Sequence, residues 1–127
     1  MILYLDTSAM VKLYVAERGS EAAREAVAAA ERAATNILAY AEARSAFARR
    51  YRTNQLASLE FGRIKREFDA DWVHFDQLPA DSETVRLAGD FSERFGLRAY
   101  DAVHLASANL LQAAIGSPVA FACATGH

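Results

Sequence analysis

The sequence predicts an α/β domain, a central parallel sheet flanked by helices. Three observations carry the prediction. A short, evenly apolar run, Ile2-Leu3-Tyr4-Leu5, opens the chain and stops on Asp6-Thr7-Ser8. That is the pattern of a strand buried on both faces that runs into a helix cap. A second strand of this kind, Val119 to Cys123, follows the break at Gly116-Ser117-Pro118. Between the two, helical patterns alternate with short strand-like segments, and strands separated by helices pair in parallel through right-handed crossovers. The 127 residues suit one domain with one hydrophobic core, with no repeat, low-complexity tract or linker.

After the first strand, Met10, Val11, Tyr14 and Val15 recur at helical spacing up to Arg18-Gly19. Ser20 is placed to cap a second, alanine-rich helix from Glu21 to Ala33. Thr35-Asn36 forms a very short strand or turn, and a third helix runs from about Ile37 to Arg52. Leu59 to Asp69 is a fourth helix, with Leu59, Ile64 and Phe68 inward. "WVHFDQL" alternates roughly and ends at Pro79, which predicts a strand. Asp81 or Ser82 caps the next helix, whose apolar positions Val85, Leu87, Ala88 and Phe91 finish before Gly96. "RAYDAVHLASANLL" is the last helix, with Ala99, Ala102, Val103, Ala106 and Leu110 on one face.

Composition narrows the function classes. Fourteen basic and sixteen acidic residues leave a formal charge of −2, so nucleic-acid binding requires a local basic face rather than overall charge. Cys123 is the single cysteine, which excludes an internal disulfide and argues against a cysteine-based zinc site. The N-terminus carries no basic segment followed by a secretory apolar stretch, and no run reaches membrane-spanning length. A cytoplasmic protein without a membrane segment is expected.

Three acids occupy unusual places. Asp6 ends a buried strand, where open α/β sheets place their chemistry, but aspartate is also among the best N-caps. Glu42 sits mid-helix with Leu38, Ala39, Ser45 and Ala46 one turn away and no basic partner there. Its surroundings suit either an inward-facing carboxylate or a half-exposed glutamate on an alanine-rich helix. Asp101 lies in the first turn of its helix, where the dipole favours an anion by about 0.3–1 kcal/mol. Brought to one end of a parallel sheet, the three would repel unless a cation or proton intervened. Their all-oxygen chemistry suits Mg²⁺ or Mn²⁺, ions that activate water for phosphodiester cleavage.

"LDTSAMVKLYVAE", "TNILAYAEARSAFAR" and "LRAYDAVHLASA" together resemble the PIN-domain nucleases, specifically the VapC-type toxins of VapBC toxin–antitoxin pairs. The blocks follow one another in the family's order over essentially the whole chain. The resemblance implies a PIN-like α/β/α sandwich and a Mg²⁺-dependent endoribonuclease site, with Mn²⁺ as the alternative ion. It places Asp6, Glu42 and Asp101 on the family's first three acidic positions and Ser8 on its supporting hydroxyl position. Thr7 and Ser8 then position Asp6 or start the helix. It also implies an RNA substrate, a homodimer and a VapB-type antitoxin that blocks the site. The departure is at the end: "VAFACATGH" sets Ala124-Thr125 where relatives carry a phenylalanine–aspartate pair, so the domain reads as shortened or altered at its C-terminus. Thr125 offers only a hydroxyl for a metal-bound water. Two rival readings are a housekeeping PIN ribonuclease in RNA maturation and a catalytically impaired PIN fold that acts as a binding module.

Around the acids, Arg44, Arg49, Arg50, Arg52, Arg63, Lys65 and Arg66 form either an RNA-backbone track or a solvated hairpin face. Arg49, two turns from Glu42, is the candidate RNA contact. His104 is read as packing or hydrogen-bonding beside the site, because hard divalent ions prefer oxygen. His74 is read as strand surface and Cys123 as a small hydrophobe. Met10, Tyr14, Tyr40, Tyr51, Phe61 and Phe68 are read as core or interface residues.

Overall fold

The chain alternates strands and helices in the order β1 (Ile2–Leu5), α1 (Thr7–Lys12), α2 (Ser20–Ala29), β2 (Arg32–Asn36), α3 (Ala39–Arg52), α4 (Ser58–Trp72), β3 (Asp76–Leu78), α5 (Ser82–Phe95), α6 (Ala99–Ile115) and β4 (Val119–Ala122). The computed structural model describes residues 1–122. The expectations for Cys123 and the Ala124-Thr125 pair lie outside the described residues. All four strands are parallel, in the order β3-β2-β1-β4, so β1 has a neighbour on each side.

Period-two alternation in β1 separates the two faces of the sheet. Leu3 and Leu5 point into a core shared with Met10, Val11 and Tyr14 of the α1 region, Phe47 of α3, and Ile64 and Phe68 of α4. Tyr4 points to the other face and packs with Ala34 of β2 and Ala108 of α6. The α5–α6 pair closes a third cluster around Ala88, Ala102, Val103 and Ala106. Aromatic rings organise the first core: Phe68 meets Tyr14, Tyr40, Phe47 and Trp72 at centroid distances of 5.3, 5.3, 5.5 and 5.7 Å. The expectation that the helical aromatics are packing residues holds, with Tyr51 and Phe61 stacked on each other at 4.6 Å.

Several boundaries differ from the sequence reading, each for a physical reason. The first helix is short, ending at Lys12. Lys12 Nζ turns back onto the carbonyl of Arg18, and the buried Ser20 hydroxyl donates to the Val15 carbonyl while accepting from the Glu17 N–H. Ser20 therefore ties down the connection instead of capping α2, whose N-cap is Gly19 at φ +91°, a conformation that suits glycine. The second helix ends at Ala29, and Arg32–Asn36 is a full strand. Ala33 and Ala34 favour a helix alone, but pairing with Leu3 and Tyr4 of β1 decides the outcome.

The stretch read as a strand from Trp72 is shorter still. Trp72 belongs to α4, where it packs on Tyr40 and Phe68, and only Asp76–Leu78 pairs with β2. His74 lies in the turn before that strand, with its side chain exposed. Asp81 is the cap of α5, accepting from the Thr84 N–H at 3.0 Å. Leu59, expected inward, is 89% exposed in the first turn of α4, while Ile64 and Phe68 are fully buried. Val85 and Ala99 also face outward, and β4, at the end of the strand order, is only half-buried. No helix among the described residues is long and apolar enough to cross a membrane.

Phe68→Ala should cost about 3–5 kcal/mol, since it leaves a cavity among four rings. Leu59→Ala should stay within about 0.5 kcal/mol. Urea denaturation of the two variants checks both. Comparable losses would mean that the core is not centred on Phe68.

Candidate active site

The first strand delivers Asp6 to the carboxyl end of the sheet, where its backbone N–H bonds the Ala122 carbonyl of β4 at 3.1 Å. Its side chain caps α1: Oδ1 accepts from the Ala9 N–H and from the Ser8 hydroxyl, both at 2.9 Å. Capping and a site role are thus compatible in one residue. Only 8% of Asp6 is exposed. Burial pushes its carboxyl above the usual carboxylate range, opposed by the Ala9 and Ser8 hydrogen bonds and by nearby His104, and reinforced by the charge of Asp101.

The other two acids also stand at helix starts. Asn36 Oδ1 accepts the Leu38 N–H, so α3 begins at Ala39 and Glu42 falls in its first turn rather than mid-helix. Asp101 is exposed in the first turn of α6. Three helix N-termini therefore each carry one of the candidate acids.

Glu42 is held from two sides. Its Oε1 accepts the Thr7 hydroxyl at 2.6 Å and lies 3.1 Å from His104 Nε2, which is also 2.9 Å from Thr7 Oγ1. The other imidazole nitrogen, Nδ1, is 2.6 Å from Tyr4 Oη. Donor counting assigns the proton positions. The Thr7 proton goes to Glu42, so toward both Thr7 and Glu42 the imidazole must donate. That leaves Nδ1 to accept from Tyr4 Oη, itself the acceptor of the Asn36 N–H at 3.0 Å. Nε2 then carries the imidazole hydrogen and donates toward Glu42 and Thr7. Burial raises the Tyr4 phenol pKa, which keeps the phenol a neutral donor. His104 hydrogen-bonds beside Glu42, in line with the sequence reading. The chain Asn36–Tyr4–His104–Glu42 was not foreseen, although a tyrosine in a buried strand signals that its hydroxyl needs a partner.

No three acidic, histidine or cysteine side chains among the described residues converge closely enough to form a ready-made ion cluster. Glu42 instead turns onto Thr7 and His104, and Asp6 onto Ser8 and Ala9. Both carboxylates are thus satisfied by local donors. The donor chemistry, carboxylate and hydroxyl oxygens around a buried Asp6, suits a hard divalent ion.

Beside Glu42 a cavity of about 400 Å³ opens between α3 and the start of α6, lined by Thr7, Ala41, Glu42, Ser45, Ala46, Arg49 and Tyr100. Arg49 is the one member of the basic series in it. Arg44, Arg50 and Arg63 are engaged by Asp69, Glu17 and Glu67, and Lys65 lies over the Phe61 ring. A larger cavity of about 710 Å³ lies at the opposite end of the strands, where Val27, Arg32, Phe75 and Asp76 line it.

Residues 3–117 match the PIN domain. The chain is 33% identical over 117 residues to Ribonuclease VapC49 of Mycobacterium tuberculosis (strain ATCC 25618 / H37Rv), covering 92% of this chain and 78% of that protein. The chain belongs to the PIN-domain family, in its VapC branch. Ribonuclease VapC46 of the same strain is 34% identical over 115 residues, covering 90% of this PIN domain and 79% of the relative. The fold is similar to that of a toxin–antitoxin complex from Klebsiella pneumoniae, with a TM-score of 0.63 at 15% identity over 92% of this chain and 82% of that one. It is also similar to VapBC2 from Rickettsia felis bound to a promoter DNA fragment, with a TM-score of 0.60 at 13% identity over 94% and 85% of the two chains.

The proton assignment and the raised Asp6 carboxyl each have a solution test. Imidazole ¹⁵N shifts of the metal-free chain should place the His104 proton on Nε2, and Tyr4→Phe should leave it there, because Glu42 and Thr7 still accept from Nε2. A proton found on Nδ1 of the wild-type chain would contradict the hydrogen-bond order. Asp6→Asn keeps an N-cap and removes a buried charge. A carboxyl whose pKa is raised by folding costs stability above its folded pKa, and the cost disappears below its unfolded value. Asp6→Asn should therefore match or exceed the wild-type melting temperature at pH 7, with the advantage shrinking as the pH falls through the raised folded value and gone below about 4. A stability loss at pH 7 would mean that the carboxylate acts as a cap alone.

Proposed function

We propose that this PIN domain is a divalent-metal-dependent endoribonuclease, the toxin of a type II toxin–antitoxin pair, with Asp6, Glu42 and Asp101 as its catalytic and metal-holding residues. The observation that carries the reading is electrostatic. A nearly buried carboxylate at the end of the central strand stands within the field of a second one, at a site whose candidate ion ligands are carboxylate and hydroxyl oxygens. The relatives named Ribonuclease VapC and the toxin–antitoxin structures that share the fold support it.

Mg²⁺ is the proposed ion, with Mn²⁺ as a substitute, and when bound it supplies an activated water and neutralises charge at the phosphodiester. The chain's own residues prepare the place. The Ser8 and Ala9 donors fix the Asp6 carboxylate, while Thr7 and His104 fix the orientation of the Glu42 side chain. Asp101 adds a third carboxylate from the first turn of α6. Arg49 offers a cation for the RNA backbone from the same cavity as Glu42.

The same proposal includes a VapB-type antitoxin whose arginine side chain occupies the acidic site, because a guanidinium matches paired carboxylates bidentately. It also includes a homodimer, for which Val85 and Phe95, left exposed on α5, are candidate contacts.

Cleavage of a cellular RNA pool should require Mg²⁺ or Mn²⁺ and stop in EDTA. Asp6→Asn, Glu42→Gln and Asp101→Asn should each lower it by about 100-fold or more. Metal-independent cleavage, or full activity in Asp101→Asn, would refute the assignment.

A further inference from the structure

The cavity beside Glu42 contains a feature that ion binding does not use. Tyr100, immediately before Asp101, is 59% exposed, and its ring and hydroxyl have no hydrogen bond, ring contact or cation over them among the described residues. The other tyrosines are all engaged. Tyr4 bonds His104, Tyr14 donates to Asp71, Tyr40 donates to Asp69, and Tyr51 stacks on Phe61.

Opposite Tyr100, α3 presents Ala41, Ser45 and Ala46, side chains too small to fill the space, and then Arg49. The Arg49 guanidinium is likewise without an ion pair or hydrogen bond among the described residues, in contrast to Arg44, Arg50 and Arg63. One concavity thus joins a bare aromatic ring, a free cation and the Glu42 carboxylate. A base–aromatic stack beside a phosphate-binding cation is the general arrangement for single-stranded nucleic acid.

We propose that this cavity is a nucleobase pocket for single-stranded RNA, in which Tyr100 stacks on an unpaired base next to the scissile phosphate and Arg49 pairs with a neighbouring phosphate. The Ser45 hydroxyl faces the same space and offers a donor or acceptor to the base edge. The aromatic ring selects for an unstacked base, so duplex RNA is excluded by shape. The proposal rests on the ribonuclease reading and adds the part of the substrate that the protein grips.

The test is fluorescence anisotropy with a short single-stranded RNA and with an abasic oligomer of the same length and charge, in the Asp6→Asn chain so that nothing is cleaved. Tyr100→Ala should weaken the base-bearing RNA roughly 5- to 100-fold and the abasic oligomer by less than about twofold, while Tyr100→Phe keeps the affinity. Arg49→Ala should weaken both oligomers and lower the salt dependence by about one phosphate contact. Equal weakening of both oligomers by Tyr100→Ala, no weakening of either, or no binding of the base-bearing RNA would overturn the pocket. RNA cleavage with full metal dependence that is indifferent to Tyr100→Ala would sink the pocket alone. Base-dependent binding without any cleavage by the wild-type chain would sink the ribonuclease reading alone.

Discussion

A charged group buried at the end of the central strand is the constraint on which the rest of the site depends. Asp6 cannot move far, because its N–H is bonded to β4 and its carboxylate is bonded to the first turn of α1. Burial makes its ionised form costly, and the charge of Asp101 adds to that cost. The surrounding structure meets it with fixed dipoles: the backbone N–H of Ala9, the Ser8 hydroxyl and the open end of α1. Such an arrangement holds a negative charge in place without neutralising it. In the proposed function, a cation completes it.

Glu42 is positioned by a longer route that crosses the sheet. The hydrogen-bond chain starts at the backbone of β2, passes through Tyr4 of β1 and His104 of α6, and reaches Glu42 in α3 with Thr7 of α1 beside it. These elements come from two strands and from the helical layers on both faces of the sheet, so the orientation of one carboxylate depends on both layers at once. Buried side-chain nitrogen and oxygen atoms among the described residues all have hydrogen-bond partners, and a fully satisfied network of this kind specifies a single arrangement.

Much of this was legible in the sequence wherever local pattern and tertiary role agree. The apolar run of β1, the amphipathic α3 and α5, and the stop at Gly116 state their roles locally; Asp6 and Asp101 were visible at element junctions, and Glu42 by its small or apolar neighbours with no basic partner one turn away. The reading failed where distant contacts decide. Arg32–Asn36 has helix-forming alanines, yet its pairing with β1 makes it a strand. Trp72 looked like the first residue of a strand because its neighbours alternate, but stacking on Tyr40 and Phe68 keeps it in α4. Leu59 marked an inward face by identity alone, while its place in the first turn of α4 leaves it in solvent. Tyr4 and His104 lie a hundred residues apart in sequence, and no spacing rule connects them. Tyr100 and Arg49 share a cavity only because α3 and α6 start at the same end of the sheet.

The central claim is that Asp6, Glu42 and Asp101 act together as one cation site. It is tested most directly by titrating Mn²⁺ into ¹⁵N-labelled protein and following paramagnetic broadening of backbone amides. The protein offers its own control, because Glu67, Asp71 and Asp76 line the larger cavity at the far end of the sheet. The account predicts that amides around Asp6, Glu42 and Asp101 broaden together at the lowest Mn²⁺ additions, before those around Asp71 and Asp76. Broadening that begins at the far cavity, or that touches one of the three acids without the others, would contradict it.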